Sequence, residues 1–110
     1  MNIKVINYSK EIARVVINEP ETYNSLSFKN LYDLIKAFKK LDKDKDVKVI
    51  ILEGAGKGFS AGHNLKEVKN LKKKEKYQKL FSLCSKLMLQ IVQGRKPVIA
   101  KVHGAAFAAG

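Results

Sequence analysis

The 110-residue sequence contains few of the residues that mark whole classes of proteins. Its one cysteine, Cys84, excludes an internal disulfide framework and a cysteine-rich zinc site, and its apolar neighbours are typical of a core thiol. The two histidines lack the HExxH spacing of a zinc enzyme, so we expect no metal. Apolar runs such as residues 49–52 are far too short to cross a bilayer, and the N-terminus lacks the apolar segment of a signal peptide. These absences predict a cytoplasmic protein without a membrane segment.

Acidic residues are also scarce: 10 aspartates and glutamates stand against 22 lysines and arginines, which gives a formal net charge of +12. The imbalance is strongest between Lys66 and Lys79, where there are seven lysines and two glutamates. A surplus of this size attracts anions, which include nucleic acids, acidic membranes and polyphosphate ligands. A solvated helix face with no partner explains the same run of charge, so composition leaves these alternatives open.

Hydrophobic periodicity predicts an α/β fold in a single domain. Apolar runs at the start of the chain indicate a β-hairpin whose second strand is the more buried. Ser27 is a suitable N-cap for an amphipathic helix, and Gly94 is a suitable stop for a second one. The predicted elements, in chain order, are strands at 3–5 and 12–17, a helix from Ser27 to about Leu41, a buried strand at 47–52, a helix with apolar positions from 80 to 92, and a third buried strand at 97–102.

Familiar catalytic and phosphate-binding motifs are missing. The glycine-rich loop at residues 54–58 lacks the glycine spacing of a P-loop and of a dinucleotide fingerprint. Ser60 and His63 are close in sequence, but no third group that would orient the histidine can be named. Glu53 is the one carboxylate considered for acid–base chemistry, and we expect it to be solvated at the end of its strand.

Two segments of small residues, 59–63 and 104–110, each follow a predicted buried strand. Small side chains allow the backbone to approach a ligand closely and leave its N–H groups accessible. Two such N–H groups that converge on one carbonyl oxygen form an oxyanion hole. The sequence therefore permits a site of this kind where the two segments meet.

Three motifs, in order along the chain, resemble the crotonase (enoyl-CoA hydratase/isomerase) superfamily. They are ARVVINEPETYNSLS at residues 13–27, VIILEG with KGFSAGHNLKE within residues 49–67, and KPVIAKVHGAA at residues 96–106. The resemblance implies an α/β fold, a crotonase-like repeated ββα spiral that is truncated after the third buried strand. Residues 1–110 would then form the N-terminal portion of a single core domain.

The resemblance also implies a thioester site. Members of the superfamily bind acyl-CoA or enoyl-CoA thioesters and hold the thioester carbonyl between two backbone N–H groups, which stabilise an enolate-like intermediate. Matched residue by residue, these catalytic donors are the N–H groups of His63 and Ala109, and Lys66 is placed to meet the phosphates of CoA. Coenzyme A enters as part of the substrate, and no permanently bound cofactor is expected. The implied substrate contacts are Tyr23, Ser25, Ala61, His63, Asn64, Leu65 and Lys66.

The sequence departs from the superfamily pattern at three site positions. Asn64 stands where many members have aspartate, His63 where alanine is common, and Ala109 where glycine is usual. The combination is most similar to one subgroup in which glutamine replaces the first hydratase glutamate, at a position that would follow Gly110. The resemblance therefore supports binding of a CoA thioester better than addition of water, and we expect the 110-residue chain to be inactive alone.

Two alternatives to a hydratase or isomerase of fatty acid metabolism remain open. One is a non-catalytic homologue that binds acyl-CoA. The other is an RNA-binding homologue that uses a lysine-rich helix surface, but only Tyr77 is interleaved with the lysines, and single-stranded nucleic acids need several stacking platforms. Nucleic acid is therefore not the expected partner. The full-length protein is expected to form a homotrimer or hexamer.

Overall fold

The computed structural model describes residues 2–70, 73–106 and 110, and it has the mixed α/β architecture that the sequence predicts. A short 3-10 turn, Pro20–Thr22, follows the second strand. The strands are β1 (Ile3–Asn7), β2 (Ile12–Ile17), β3 (Val49–Gly54) and β4 (Val98–Lys101), and the helices are α1 (Phe28–Lys43), α2 (Leu65–Lys69) and α3 (Lys74–Gln93).

The four described strands form one sheet in the order β1-β2-β3-β4. β1 and β2 pair as the predicted antiparallel hairpin, whereas β2, β3 and β4 run parallel to one another. Parallel neighbours need crossover connections, which α1 supplies between β2 and β3, and α2 with α3 supplies between β3 and β4. The carboxyl ends of β2, β3 and β4 therefore lie at one edge of the sheet, and the loops that leave them meet there.

The core lies between one face of this sheet and helices α1 and α3. Alternate residues of β2, such as Val15 and Ile17, belong to it and are fully buried. The helix α3 contributes Leu80 and Leu87, which lie two helical turns apart and are also fully buried. The stripe of α1 that faces the core recurs every three or four residues, as predicted. Its buried residues are Asn30, Leu31, Leu34, Ile35, Phe38 and Leu41.

The start of α1 is held by two side chains. The predicted N-cap is confirmed, because Ser27 Oγ accepts a hydrogen bond from the Asn30 N–H at 3.1 Å. Glu67 of α2 supplies a second acceptor, and its Oε1 lies 2.9 Å from the Phe28 nitrogen that donates to it. These bonds satisfy N–H groups that the first turn of a helix otherwise leaves without partners. They also tie α1 to α2 at the edge where the loops meet.

Most element boundaries differ from the predicted ones by one or two residues, that of α3 differs by more, and α2 has no counterpart among the predicted elements. β3 begins at Val49 rather than at residue 47. α3 begins at Lys74 rather than near Leu80, because lysine, glutamate and glutamine extend a helix into solvent without an apolar face. Gly94 does follow α3, but its φ of −62° is not left-handed. Glycine is favoured there by close approach, since a Cβ would lie 2.7 Å from the carbonyl oxygen of Gln90.

The prediction that residues 97–102 form a buried strand is wrong. Ile99 of β4 and Val102 just after it are each 55% exposed. β4 lies at the edge of the described sheet and pairs there with β3 alone, so an apolar sequence does not by itself decide burial. Within the described residues, no helix has both the length and the apolar character needed to cross a bilayer.

Candidate functional site

The loop after β2 has an uncommon backbone conformation. Tyr23 and Asn24 have φ angles of 54° and 55°, in the left-handed region that few residues other than glycine adopt. Asparagine is among the more tolerant of these residues. Tyr23 is largely exposed, whereas Asn24 is fully buried. A fully buried amide needs hydrogen-bond partners, and those of Asn24 define the site.

The Asn24 side chain joins this loop to the loop after β3. Its Nδ2 donates to the carbonyl oxygens of Ala55, Gly58 and Phe59 at 2.8, 3.0 and 3.1 Å. Its Oδ1 accepts a hydrogen bond from the Glu19 N–H at 2.8 Å. Both polar ends of the amide are therefore satisfied, and the two hydrogens of Nδ2 are shared among three carbonyl groups of the loop after β3.

The hydroxyl of Ser60 belongs to the same scaffold. Ser60 is buried, and its Oγ donates to the Asn24 carbonyl oxygen at 2.8 Å and accepts from the Gly62 N–H at 3.2 Å. The hydroxyl is thus engaged in holding the two loops together. A hydroxyl with this structural role gives no support for a nucleophilic Ser60–His63 pair, for which the sequence offered no orienting third group.

Two main-chain hydrogen bonds complete the attachment between the loops. The Ala61 N–H donates to the Tyr23 carbonyl at 2.9 Å, and the Leu26 N–H donates to the Gly62 carbonyl at 2.6 Å. The backbone just before His63 is therefore held through both N–H and C=O groups. Within the described part of the chain, the His63 N–H itself donates to no protein acceptor.

The loop after β4 lies against the same segment. Ser60 pairs with Ala106 in a parallel bridge. Gly110 also approaches closely, because a Cβ built on it would lie 2.3 Å from the Ser60 carbonyl oxygen and 2.9 Å from the Gly62 nitrogen. The two small-residue segments are thus adjacent at Ser60. Ala109, the second predicted donor, lies outside the described residues.

The side chains of His63 and Asn64 point to different parts of the scaffold. The His63 imidazole meets the Phe81 ring of α3 edge-to-face, with 5.3 Å between ring centroids and 87° between planes. Its Nδ1 is buried and is bonded to no group among the described residues. Asn64 is the N-cap of α2, and its Oδ1 accepts from the Glu67 N–H at 3.1 Å. Asparagine caps a helix as well as the aspartate that many superfamily members have here, so this departure preserves the start of α2.

A concavity of about 290 Å³ is lined by the loop after β2, the segment before α2, and α2 itself. Six of the seven implied substrate contacts lie around it. The seventh, Leu65, begins α2, and its side chain lies outside the described part of the structure. A neighbouring concavity of about 460 Å³ shares Glu21 and Tyr23 with the first and adds Lys57. The residues that line the first concavity are Glu21, Thr22, Tyr23, Ser25, Ala61, His63, Asn64 and Lys66.

Sequence reasoning missed the structural role of Asn24 and the places of Glu21 and Thr22 at the concavity. The carbonyl partners of Asn24 lie 31 to 35 positions further along the chain, so no local pattern reveals them. The signal that was present is the residue type, because asparagine is enriched where the backbone is left-handed.

Glu53 is not the solvated carboxylate that the sequence predicts. It is 9% exposed and forms a hydrogen-bonded ion pair with Arg14 of β2. That hydrogen bond, helped by the positive charges of Arg14, Lys101 and His103, holds the pKa of the Glu53 carboxyl below its usual value against the opposing effect of burial. In the pairing of β2 with β3, Glu53 lies opposite Val16, and Arg14 two residues earlier in β2 reaches it. The sequence pattern does not reveal this contact between strands.

Two further groups offer little chemistry. Cys84 is partly buried, and burial raises the pKa of its thiol, as expected of a core cysteine. Among the described residues, no group of three or more histidine, cysteine, aspartate or glutamate side chains is placed to hold a metal ion. The main-chain donor at His63 and the concavity beside it are therefore the features that remain.

The family model for enoyl-CoA hydratase/isomerase matches residues 7–110. The chain belongs to the enoyl-CoA hydratase/isomerase family. In sequence it is similar to enoyl-CoA hydratase domain-containing protein 3, mitochondrial, of Xenopus laevis, with 36% identity over 108 residues that cover 98% of this chain and 37% of that protein. The human protein of the same name is 37% identical over 99 residues, which cover 90% of this chain and 33% of that protein. The proteins of this name are the subgroup that the sequence was expected to resemble, and that resemblance is confirmed.

The fold is confirmed by solved members of the enoyl-CoA hydratase/isomerase family. A crystal structure of enoyl-CoA hydratase from Bacillus anthracis superposes with a TM-score of 0.95 at 30% identity, and the match covers 100% of this chain and 43% of that one. The chain thus spans well under half the length of its relatives.

The expected cytoplasmic location is wrong, because the names of both the Xenopus laevis and the human relative place them in mitochondria. The absence of an apolar signal peptide bears on secretion alone, since mitochondrial targeting segments are amphipathic and basic.

The Asn24 amide is testable with an isosteric change. We expect Asn24→Asp to lower the free energy of unfolding by about 3–5 kcal/mol at neutral pH, because a carboxylate oxygen would face three carbonyl oxygens at a buried position. Aspartate tolerates the same left-handed backbone, so the change isolates the lost donor. Urea unfolding followed by circular dichroism measures it, with exposed Asn70→Asp as the control. Equal stability of the two variants would show that the amide is not the tie between the loops.

The Arg14–Glu53 pair predicts a pH dependence. Because the pKa of Glu53 is lowered in the folded state, the unfolded state binds more protons as pH falls, and stability is lost below the unfolded pKa of about 4.5. We expect the unfolding free energy of the chain to fall between about pH 5 and pH 3. Glu53→Gln should remove part of this slope, whereas exposed Glu75→Gln should leave it unchanged. Parallel slopes for all three proteins in urea titrations would contradict the assignment.

Proposed function

We propose that the chain supplies the CoA-thioester site of an enzyme of the hydratase/isomerase class, with the N–H groups of His63 and Ala109 as the oxyanion hole. The observation that carries the proposal is the His63 N–H: it donates to no described protein acceptor, and its residue lines the concavity of about 290 Å³. The backbone before it is fixed by hydrogen bonds to the loop after β2, so the donor is held in place before a ligand arrives.

The chemistry of this site is the stabilisation of negative charge on the thioester oxygen. Addition to an enoyl thioester, or movement of its double bond, passes through an enolate-like state in which charge collects on that oxygen. Donors that are fixed in advance stabilise this charge without reorganising, and loss of one such donor costs about 10²–10³ in rate. Because the donors are main-chain groups, histidine at position 63 serves as well as the alanine that is common in the superfamily.

The CoA portion would lie along the residues around the concavity. Tyr23, Ser25 and Ala61 would contact it from the two loops, and Asn64 and Leu65 from the start of α2. Lys66 of α2 is exposed at the rim, where its ammonium group would meet a phosphate of CoA. Part of the net charge of +12 would thus serve the substrate, while the remaining lysines are solvated.

Binding and turnover are proposed separately. The described carboxylate that sequence reasoning singled out for acid–base chemistry, Glu53, is occupied by Arg14. Hydration or isomerisation therefore needs an acid and a base in addition to the two main-chain donors and the substrate contacts proposed here. A non-catalytic acyl-CoA-binding protein is the alternative, and a crotonyl-CoA hydration assay on the whole protein separates the two.

The role of Lys66 gives a direct test. We expect Lys66→Ala to weaken binding of acetyl-CoA about three- to tenfold at physiological salt, because it removes one charge-assisted contact with phosphate at an exposed site. Calorimetric titration measures the dissociation constant. Lys39→Ala on α1 removes the same charge from an exposed position and should leave binding unchanged. An equal loss in both variants would mean that acetyl-CoA responds to net charge rather than to a site.

A further inference from the structure

The contact between His63 and Phe81 places an aromatic pair beside the proposed oxyanion donor. The ring geometry, 5.3 Å between centroids and 87° between planes, is the edge-to-face arrangement that aromatic pairs favour. Phe81 is one of several apolar side chains that α3 exposes, and its ring is 51% exposed. The contact with His63 gives that exposed ring a role.

The position of Phe81 is fixed by its neighbour in the helix. Leu80 is fully buried in the core between α1 and α3, so the turn of α3 that carries Phe81 cannot shift without opening that packing. The Phe81 ring is thus presented from a firmly anchored helix turn, although the ring itself is half in solvent.

The edge-to-face contact with Phe81 is a described contact that can orient the His63 imidazole. Its buried Nδ1 has no hydrogen-bond partner among the described residues, so no described hydrogen bond through that nitrogen holds the ring. An imidazole released from Phe81 could turn into the concavity of about 290 Å³ that His63 lines. It would then occupy space beside the N–H of its own residue and obstruct a ligand that approaches that donor.

We propose that Phe81 is a positioning residue, which holds the His63 ring out of the concavity and so keeps the His63 N–H accessible to the thioester carbonyl. The inference rests on the proposed function. It extends that function by giving α3 a part in a site otherwise built from the loops at the carboxyl edge of the sheet.

The test uses cinnamoyl-CoA, an enoyl thioester whose absorbance moves to longer wavelength when its carbonyl is polarised by hydrogen bonds. We expect Phe81→Ala to weaken its binding about two- to tenfold and to reduce the red shift at saturation. Phe81→Tyr keeps the ring edge and should restore both. Leu89→Ala removes an apolar side chain of similar exposure from the same helix, 53% against 51%, and should behave as the unaltered chain.

A double-variant cycle shows whether Phe81 acts through His63. In a His63→Ala background, which keeps the main-chain donor, Phe81→Ala should have no further effect on the red shift. An undiminished effect in that background would overturn the proposal, and so would a red shift in Phe81→Ala equal to that of the unaltered chain. If the unaltered chain gives no red shift, the proposed thioester site fails, and the inference fails with it.

A measurement without ligand keeps the contact itself falsifiable. In the ¹H NMR spectrum, the His63 ring protons should carry a ring-current shift from Phe81 that disappears in Phe81→Ala and persists in Leu89→Ala. Unchanged His63 resonances in Phe81→Ala would overturn the proposal whatever the binding data show.

Discussion

The side-chain amide of Asn24 is buried and is hydrogen-bonded at both ends between two loops, and the rest of the site depends on where it places them. Each hydrogen bond left unmade in such a place costs about 1–3 kcal/mol, so the loops cannot separate without a large penalty. Asn24 holds Ala55, Gly58 and Phe59 through its side chain and receives Ser60 at its own carbonyl. The segment that leads to His63 is therefore rigid before any ligand binds, which is the condition for effective electrostatic stabilisation.

The sheet topology explains why these loops are neighbours at all. Three parallel strands, β2, β3 and β4, end at one edge, and each loop that leaves that edge contributes a different part of the site. The loop after β2 supplies the Asn24 amide, the loop after β3 carries the proposed donor His63, and the loop after β4 packs against Ser60. The helices α1 and α3 bridge the strands and fill the core, and α2 is tied to the first turn of α1 through Glu67.

Local sequence patterns were sufficient for the type and order of most elements, whereas the expected substrate contacts came from the resemblance to the superfamily. The Ser27 cap, the apolar stripe of α1 and the hairpin follow from periodicity and capping preferences, which act over a few residues. The implied substrate contacts follow from three motifs that resemble the superfamily and occur in order along the chain. What failed was long-range: the burial of Glu53 depends on Arg14 in another strand, and the exposure of Ile99 depends on its place at the sheet edge. Neither feature can be predicted from the residues next to it in the sequence.

The central claim is that the His63 N–H donates a hydrogen bond to a thioester carbonyl, and the amide resonance of His63 tests it most directly. A ¹⁵N-labelled chain would be titrated with acetyl-CoA and, separately, with free CoA, which has the same phosphates but no carbonyl to polarise. We expect a downfield shift of the His63 amide proton with acetyl-CoA and a much smaller shift with free CoA. The amide resonance of Lys66 should shift with both ligands. Equal responses of His63 to the two ligands, or none to either, would contradict it.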